Sequence, residues 1–232
     1  MDRNSNSYTL LYAAIMVILV AAILASVAMA LRPLQRKNFA IERQQNILAS
    51  VNILTTPDKA EEIFEENIKN MYTVNTQGEQ VEGDAFSIEL QKESEKPVEE
   101  QRLPVFEFQA ESGLKYIFPV RGSGLWGPIW GFVALNSDMS TIYGANFDHQ
   151  GETPGLGAEI STQWFEDRFR GKEIFNDAGE LVSITVTKPG QQAPEQHSVD
   201  GISGGTITSK GLEEMLLNDF SKYKEFLNKK KS

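Results

Sequence analysis

Residues 200–211 read DGISGGTITSKG, with Ser203, Thr206, Thr208 and Ser209 set among Gly201, Gly204, Gly205 and Gly211. Upstream, a polar loop, KPGQQAPEQHSV (188–199), follows the strand-like LVSITVT (181–187). Downstream, Leu212, Leu216, Phe220, Tyr223 and Leu227 recur at helical spacing as far as the basic end NKKKS, whose lysines suit the negative pole of a helix. The stretch is thus a glycine loop between a strand and a helix that begins near Ser209. Three chemistries suit such a junction: a nucleophile, a phosphate cradle, or a turn capped by Ser209.

Gly201-Ile202-Ser203-Gly204-Gly205 has the G-x-S-x-G pattern of a nucleophile elbow, but the partners fail. That elbow takes its acid and histidine after the serine. The only histidines, His149 and His197, both precede Ser203. The opposite order, His149 and then Asp167 or Asp177, comes with no oxyanion or pocket signature. A membrane-anchored serine hydrolase using Ser203 is kept as the remote reading. For a phosphate, the glycines expose backbone N–H groups and the helix start adds partial positive charge. Thr206, just before the helix, would hold the phosphate by a hydrogen bond or a covalent bond. This loop alone leaves the cradle and the plain turn level.

A second loop decides between them. HQGETPGLGAEI (149–160) also sets glycines, Gly155 and Gly157, ahead of a helical stretch. Leu156 between them offers an apolar side chain to a flat ligand while the backbone approaches closely. SGLWGPIWG (123–131) adds Trp126 and Trp130 beside more glycine, one of the two expected in the core. A Trp-plus-Leu surface next to a phosphate anchor suits a planar, phosphorylated cofactor, and flavin mononucleotide fits that description.

From Leu103 the chain is rich in strand patterns: LPVFEFQ (103–109), KYIFPV (115–120), IWGFVAL (129–135) and TIYGANF (141–147), parted by glycine and polar turns. KEIF and LVSITVT flank NDAGE as a hairpin with Val182, Ile184 and Val186 on its inner face. EISTQWFEDRF (159–169) reads as a helix burying Ile160 and Trp164. Nearer the N-terminus, TTPDKAEEIFEENIKNMY (55–72) reads as a helix capped by Thr56, with Pro57 at its first position. AFSIEL (85–90) alternates as a strand, and QKESEKPVEEQ (91–101) reads as an exposed loop. The class is α+β, an antiparallel β-sheet with packed helices, preceded by one N-terminal transmembrane helix.

That helix is the strongest physical signal. LLYAAIMVILVAAILASVAMAL (10–31) carries no charge. About 20 apolar residues span a bilayer, and a cleaved signal has an apolar region of only about 7–15, so a retained anchor is favoured over cleavage at the Ala28–Ala30 pattern. The chain divides into a flank (1–9), the anchor (10–31), a helical juxtamembrane segment (32–80) and a domain (81–232). Arg32, Arg36 and Lys37 follow the anchor against Arg3 before it, and the positive-inside rule places the C-terminal side in the cytoplasm. The 232 residues carry a net charge of −10 and no basic stripe, which argues against nucleic acid. The absence of cysteine excludes disulfides and thiol chemistry, and two histidines argue against a histidine-rich metal site.

DGISGGT resembles the flavinylation motif Asp-x-x-Ser/Thr-Gly-Ala-Thr/Ser of the FMN-binding domain family, and ETPGLGA and GLWG are similar to its other hallmarks. With one anchor and a helical lead-in, the arrangement resembles the C subunits of sodium-translocating NADH:quinone reductases. The G subunits of Rnf electron-transport complexes share the motifs and are the alternative. The resemblance implies FMN joined through its phosphate to Thr206. It also implies that Asp200, Ser203 and Gly204 are read by a flavin transferase, and that Glu152, Thr153, Leu156 and Trp126 lie around the flavin. Gly155, Gly157 and Gly205 complete the expected site. Gly205 stands where the family usually has alanine. No catalytic residue or metal ligand is expected. The implied role is electron carriage beside other membrane subunits, without independent turnover, from the outer face of a bacterial inner membrane. This location opposes the charge rule. The apolar span holds no acid for a cation, so the sodium path is expected elsewhere.

Overall fold

The computed structural model describes residues 5–188 and 190–231; residues 1–4, including Arg3, Pro189 and Ser232 lie outside them. The chain divides into two units, up to Arg43 and from Gln44. α1 (Asn6–Ser50) supplies the first unit, where it runs through Leu31 and Pro33 with an apolar stretch long enough to cross a membrane, while its last residues, 44–50, belong to the second. Residues 6–9 of the expected flank are already helical.

The second unit is built on a six-stranded antiparallel sheet in the order β2-β1-β3-β4-β5-β6. Its strands are β1 (Ile68–Val74), β2 (Gln80–Val81), β3 (Leu103–Ala110), β4 (Gly113–Ser123), β5 (Pro128–Asn136) and β6 (Ile142–His149). Both faces are covered, which is why these strands read as apolar runs and not as a clean alternation. One face, carrying Val105, Tyr116, Phe118, Val120, Val133 and Leu135, packs against the C-terminal helix α5 (Thr206–Lys231). All five residues read as its apolar stripe are buried. The other face, with Phe106, Phe108, Ile117, Phe132 and Ala134, packs with Ile47, Leu48 and Val51 and with Phe64 of α2 (Ala60–Asn67).

Several expectations are corrected. The lead-in 32–80 is divided, because the folded unit starts at Gln44 and so takes in α2, β1 and β2. The helix expected over 55–72 stops at Asn67, and Ile68–Val74 joins the sheet beside β3. Thr56 does not cap it; Lys59 holds the N-cap position without a side-chain bond. AFSIEL is no strand, because Asp84 accepts the Phe86 N–H (3.0 Å) and bonds Ser87, folding the start of the segment into a turn. The stretch 91–101 contains the end of α3 (Leu90–Ser94) and a 3-10 turn at Val98–Glu100. Buried Glu93 ties the two together by accepting from Lys96 (2.7 Å) and the Arg102 N–H (2.9 Å).

NDAGE does turn the chain, with Asn176 Oδ1 accepting the N–H groups of Ala178 and Glu180 and a bridge between Phe175 and Leu181. Ser183 then adopts φ +57°, so the alternation fails: Val182 is 38% exposed, while Ile184 and Val186 are buried. Beyond it β7 (Thr185–Thr187) pairs in parallel with β8 (Ser198–Asp200). Residues 157–169 form three short pieces: a 3-10 turn (Gly157–Ser161), α4 (Gln163–Glu166) and a 3-10 turn (Asp167–Phe169). The changes of helical phase bury Ile160, Phe165 and Phe169 and leave Trp164 47% exposed, in place of the expected Ile160–Trp164 pair.

Candidate functional site

The hydroxyl loop and both companion loops meet at one cavity of about 230 Å³. Its lining includes Trp126 from the β4–β5 turn, Glu152, Thr153, Leu156 and Gly157 from the loop after β6, and Gly204, Gly205 and Thr206 at the start of α5. Eight of the eleven residues singled out in the sequence are therefore brought together. Leu125, Ile207 and Thr208 line it as well. Their signal is adjacency: Leu125 shares GLWG with Trp126, and Ile207 and Thr208 directly follow Thr206.

Each wall has a local cause. Ser123 pairs with Pro128 and the Gly124 N–H bonds the Gly127 carbonyl (2.8 Å), so a tight turn thrusts Leu125 and Trp126 outward, Trp126 being 68% exposed. Trp130 is instead half-buried on β5. At the third wall, the Gly205 carbonyl accepts the Ser209 N–H (2.9 Å), which makes Gly205 the N-cap and Thr206 the first helical residue. Ser209 does not cap the helix. It lies within it, and its Oγ accepts the Ile202 N–H (3.2 Å), pinning the loop to the first turn. Gly204 has φ +78°, and a Cβ there would come within 2.5 Å of Leu156 Cδ2. Further along, Gly211 lets the helix backbone lie against the Ser123 carbonyl, where a side chain would collide. This close approach sets the helix start beside the β4–β5 turn.

Glu152 joins the walls. It is 5% exposed. Its Oε1 accepts the Trp126 N–H (2.8 Å), its Oε2 accepts the Thr208 hydroxyl (2.5 Å), and its own N–H donates to His149 Nδ1 (3.2 Å). Thr208 is thereby buried and engaged, whereas Thr206 is exposed on the cavity rim. The two hydroxyls, one helical step of two residues apart, have opposite fates.

Three residues expected at the site do not line the cavity. Gly155 sits at the tip of its loop with φ +77°. Ser203 is exposed on the hydroxyl loop. Asp200 ends β8 with its side chain 88% exposed, turned into a separate polar cleft beside Arg168 and Lys172. The hydrolase constellation is not assembled either: His149 Nδ1 takes the Glu152 N–H, and His197 Nδ1 bonds the Glu173 carbonyl (2.6 Å). Among the described residues no group of three or more acidic, histidine or cysteine side chains is placed to hold a metal.

The cavity suits FMN on its own terms. By helix geometry the N–H groups of Thr206, Ile207 and Thr208 have no intrahelical acceptor, and they head a helix of 26 residues, a place that favours a phosphate. The exposed apolar side chains Leu125, Trp126, Leu156 and Ile207 around it suit a planar ring. Fold and site thus define a domain of the flavin-nucleotide-binding class, carried behind an apolar helix. Residues 124–219 match the FMN-binding domain family. Along the chain, the similarity extends to the C subunit of the Na(+)-translocating NADH-quinone reductase of Vibrio anguillarum (32% identity, covering 91% of this chain and 89% of that one). The corresponding C subunit from Neisseria meningitidis serogroup A is 30% identical over all of this chain and 96% of its own. In three dimensions the crystal structure of the C subunit from Parabacteroides distasonis superposes with a TM-score of 0.80 at 49% identity, over 85% of this chain and 96% of that one. NqrC of Shewanella oneidensis gives 0.72 at 25% identity, over 83% and 97%. The chain belongs to the family formed by the C subunits of Na(+)-translocating NADH-quinone reductases.

Proposed function

We propose that this chain carries FMN, joined through its phosphate to Thr206, and passes electrons within a membrane-bound Na(+)-translocating NADH-quinone reductase. The carrying observation is the contrast at the start of α5. Thr206 is an exposed hydroxyl at the first helical position on the cavity rim, while Thr208 is buried against Glu152. Relatives of that name, matched across most of their length, favour the reading over the Rnf complex.

The residues divide the work. Thr206 Oγ is the nucleophile in attachment. Ester formation from a simple phosphate monoester would have to expel hydroxide, so the donor is a flavin pyrophosphate. Thr206 Oγ bonds to the flavin-side phosphorus, the P–O–P bridge breaks, and a nucleoside monophosphate leaves, with the hydroxyl proton passing to base or solvent. A flavin transferase supplies this step, reading Asp200, Ser203 and Gly204, all of which the fold leaves exposed. The amides of Thr206–Thr208 would hold the phosphodiester and offset part of its charge. Leu156 and Trp126 would offer their apolar side chains to a bound flavin, and Glu152 holds their loops together. When bound, FMN supplies one- and two-electron chemistry that no side chain of this chain offers.

In this reading the apolar part of α1 is a single-pass anchor in the bacterial inner membrane, beside the other subunits, with the FMN domain on the outer face. The test is in-gel flavin fluorescence of the denatured full-length protein after co-expression with a flavin transferase. Wild type is expected to fluoresce and Thr206→Ala to be dark. Undiminished fluorescence in Thr206→Ala removes the assignment.

A further inference from the structure

A second route, outside the cavity, links the two glycine loops. The Gly155 N–H donates to Glu159 Oε1 (3.0 Å), and Glu159 Oε2 accepts from Trp164 Nε1 (3.4 Å). The guanidinium of Arg168 stacks on the Trp164 indole, 4.4 Å from its centroid. Arg168 Nη1 then donates to the Asp200 carbonyl (3.1 Å), with the Asp200 carboxylate 4.0 Å away. Asp200 is the residue at which the Thr206 loop begins.

The local fold explains why these side chains are free to do this. Ile160, Phe165 and Phe169 point into the core and fix the three short helical pieces. Glu159, Trp164 and Arg168 are left on the outer side of the same stretch. An exposed tryptophan with arginine on its face adds little to a core, but a planar, multidentate cation both stacks and donates, which lysine does not. Inside the cavity Leu156 lies against Gly204 and Gly205, and the Glu152–Thr208 bond ties the 149–157 loop to the helix that follows, not to the 200–206 loop itself. A brace from outside therefore bears on their relative position.

We infer that Glu159, Trp164 and Arg168 are positioning residues that lock the 149–157 loop and the 200–206 loop into one relation, so that Thr206 stands beside the Leu156 wall. The consequence for flavin transfer rests on the function proposed above; the mechanical coupling does not.

The experiment is amide hydrogen exchange on the full-length protein without flavin, comparing wild type, Arg168→Ala, Glu159→Gln and the double variant. The decisive amides are those of Leu156 and Ala158, which bond Thr153 and touch neither Arg168 nor Asp200. Arg168→Ala is expected to speed their exchange about tenfold, together with those of Gly201 and Ile202, as the loss of one charge-assisted bond implies. Glu159→Gln is expected to act on both loops, and the double variant to be no worse than Arg168→Ala alone. Trp164→Phe, which keeps a stacking face, should show a smaller effect, and Arg168→Lys should not restore wild-type exchange. With a flavin transferase and a flavin pyrophosphate donor, the transfer rate at saturating donor should fall about tenfold in Arg168→Ala, with the half-saturating donor concentration unchanged. Faster exchange confined to 200–205, no change at all, or additive losses in the double variant would overturn the brace. Failure of wild type to take flavin on Thr206 would remove the functional reading, while the exchange data would still decide the coupling.

Discussion

The Thr208 hydroxyl and the Glu152 carboxylate, 56 positions apart in the chain, meet at 2.5 Å. This one bond fastens the first turn of α5 to the loop after β6, and the other oxygen of Glu152 fastens that loop to the Trp126 turn. Removing either partner strands a buried polar group, at about 1–3 kcal/mol. Glu152→Gln and Thr208→Val should each lower the unfolding free energy read from urea denaturation by that amount, and their double variant should fall well short of the sum. Strict additivity would show that the two groups do not act as a pair. Thr208→Val should nonetheless retain denaturation-resistant flavin, because the proposed attachment point is the Thr206 hydroxyl. Ser203→Ala should be less damaging than Thr206→Ala, because in the proposed reading Ser203 supports recognition of the loop and forms no bond to the flavin.

Gly204 and Gly205 make opposite demands although they are neighbours. Gly204 holds a left-handed conformation and faces Leu156, so Gly204→Ala should cost about 1–2 kcal/mol and displace the Leu156 wall. Gly205 has no such conformation, and a Cβ there would stand 3.1–3.2 Å from Ile202 and the Leu156 backbone. Gly205→Ala should therefore fold within about 1 kcal/mol of wild type, with ordinary flavin content. Thermal melts and the visible flavin spectrum of the two variants check the contrast. Equal damage at both positions would contradict it.

Acid stability should carry the mark of Glu166. Burial, reinforced by the charges of Asp167 and Asp148, pushes its carboxyl up to about 7, even though the Phe147 N–H (2.7 Å) and Asn146 Nδ2 (3.2 Å) bond the charged form. The folded state therefore holds the proton more tightly than the unfolded chain. The contribution of this group is complete below about pH 4.5 and is lost as pH rises through about 7. The stability of wild type relative to Glu166→Gln should fall across that window, as read from denaturation midpoints at matched pH values. A difference that stays flat from about pH 4.5 to about pH 8 would exclude the ionisation.

Topology is decided by protease on intact spheroplasts. With the FMN domain outside, the chain beyond about Leu54 should be lost and only the anchored stub spared. Protection until the membrane is broken would place the domain inside, as Arg32, Arg36 and Lys37 by themselves imply.

The parts of the fold legible in the sequence are those fixed by local pattern. Leu212, Leu216, Phe220, Tyr223 and Leu227 announce α5, and glycine-bounded apolar runs announce β3 to β6. β1 is not legible because IKNMYTV continues the preceding helix without a break, and what makes it a strand is pairing with residues 103–108. Trp164 reads as buried only if one helical phase runs through the segment, and that phase does not survive two changes of winding between 157 and 169. At the site, residue types near glycine single out eight residues that line one cavity. The inward or outward turn of Asp200, and the pairing of Thr208 with Glu152, depend on partners far away in sequence.

The cavity is small and its apolar lip is open, so a free ring resting there would come and go with the solvent. A flavin joined through its phosphate to Thr206, as proposed, would be an intramolecular ligand. Its effective concentration at the Leu156–Trp126 wall is set by a short flexible tether, on the order of millimolar, whatever the concentration of flavin outside. The wall then needs only weak affinity. If the proposed attachment holds, the wall would let the ring lift away and take it back without losing it. For a carrier of electrons, a shallow seat beside a permanent leash permits motion that a deep pocket would forbid.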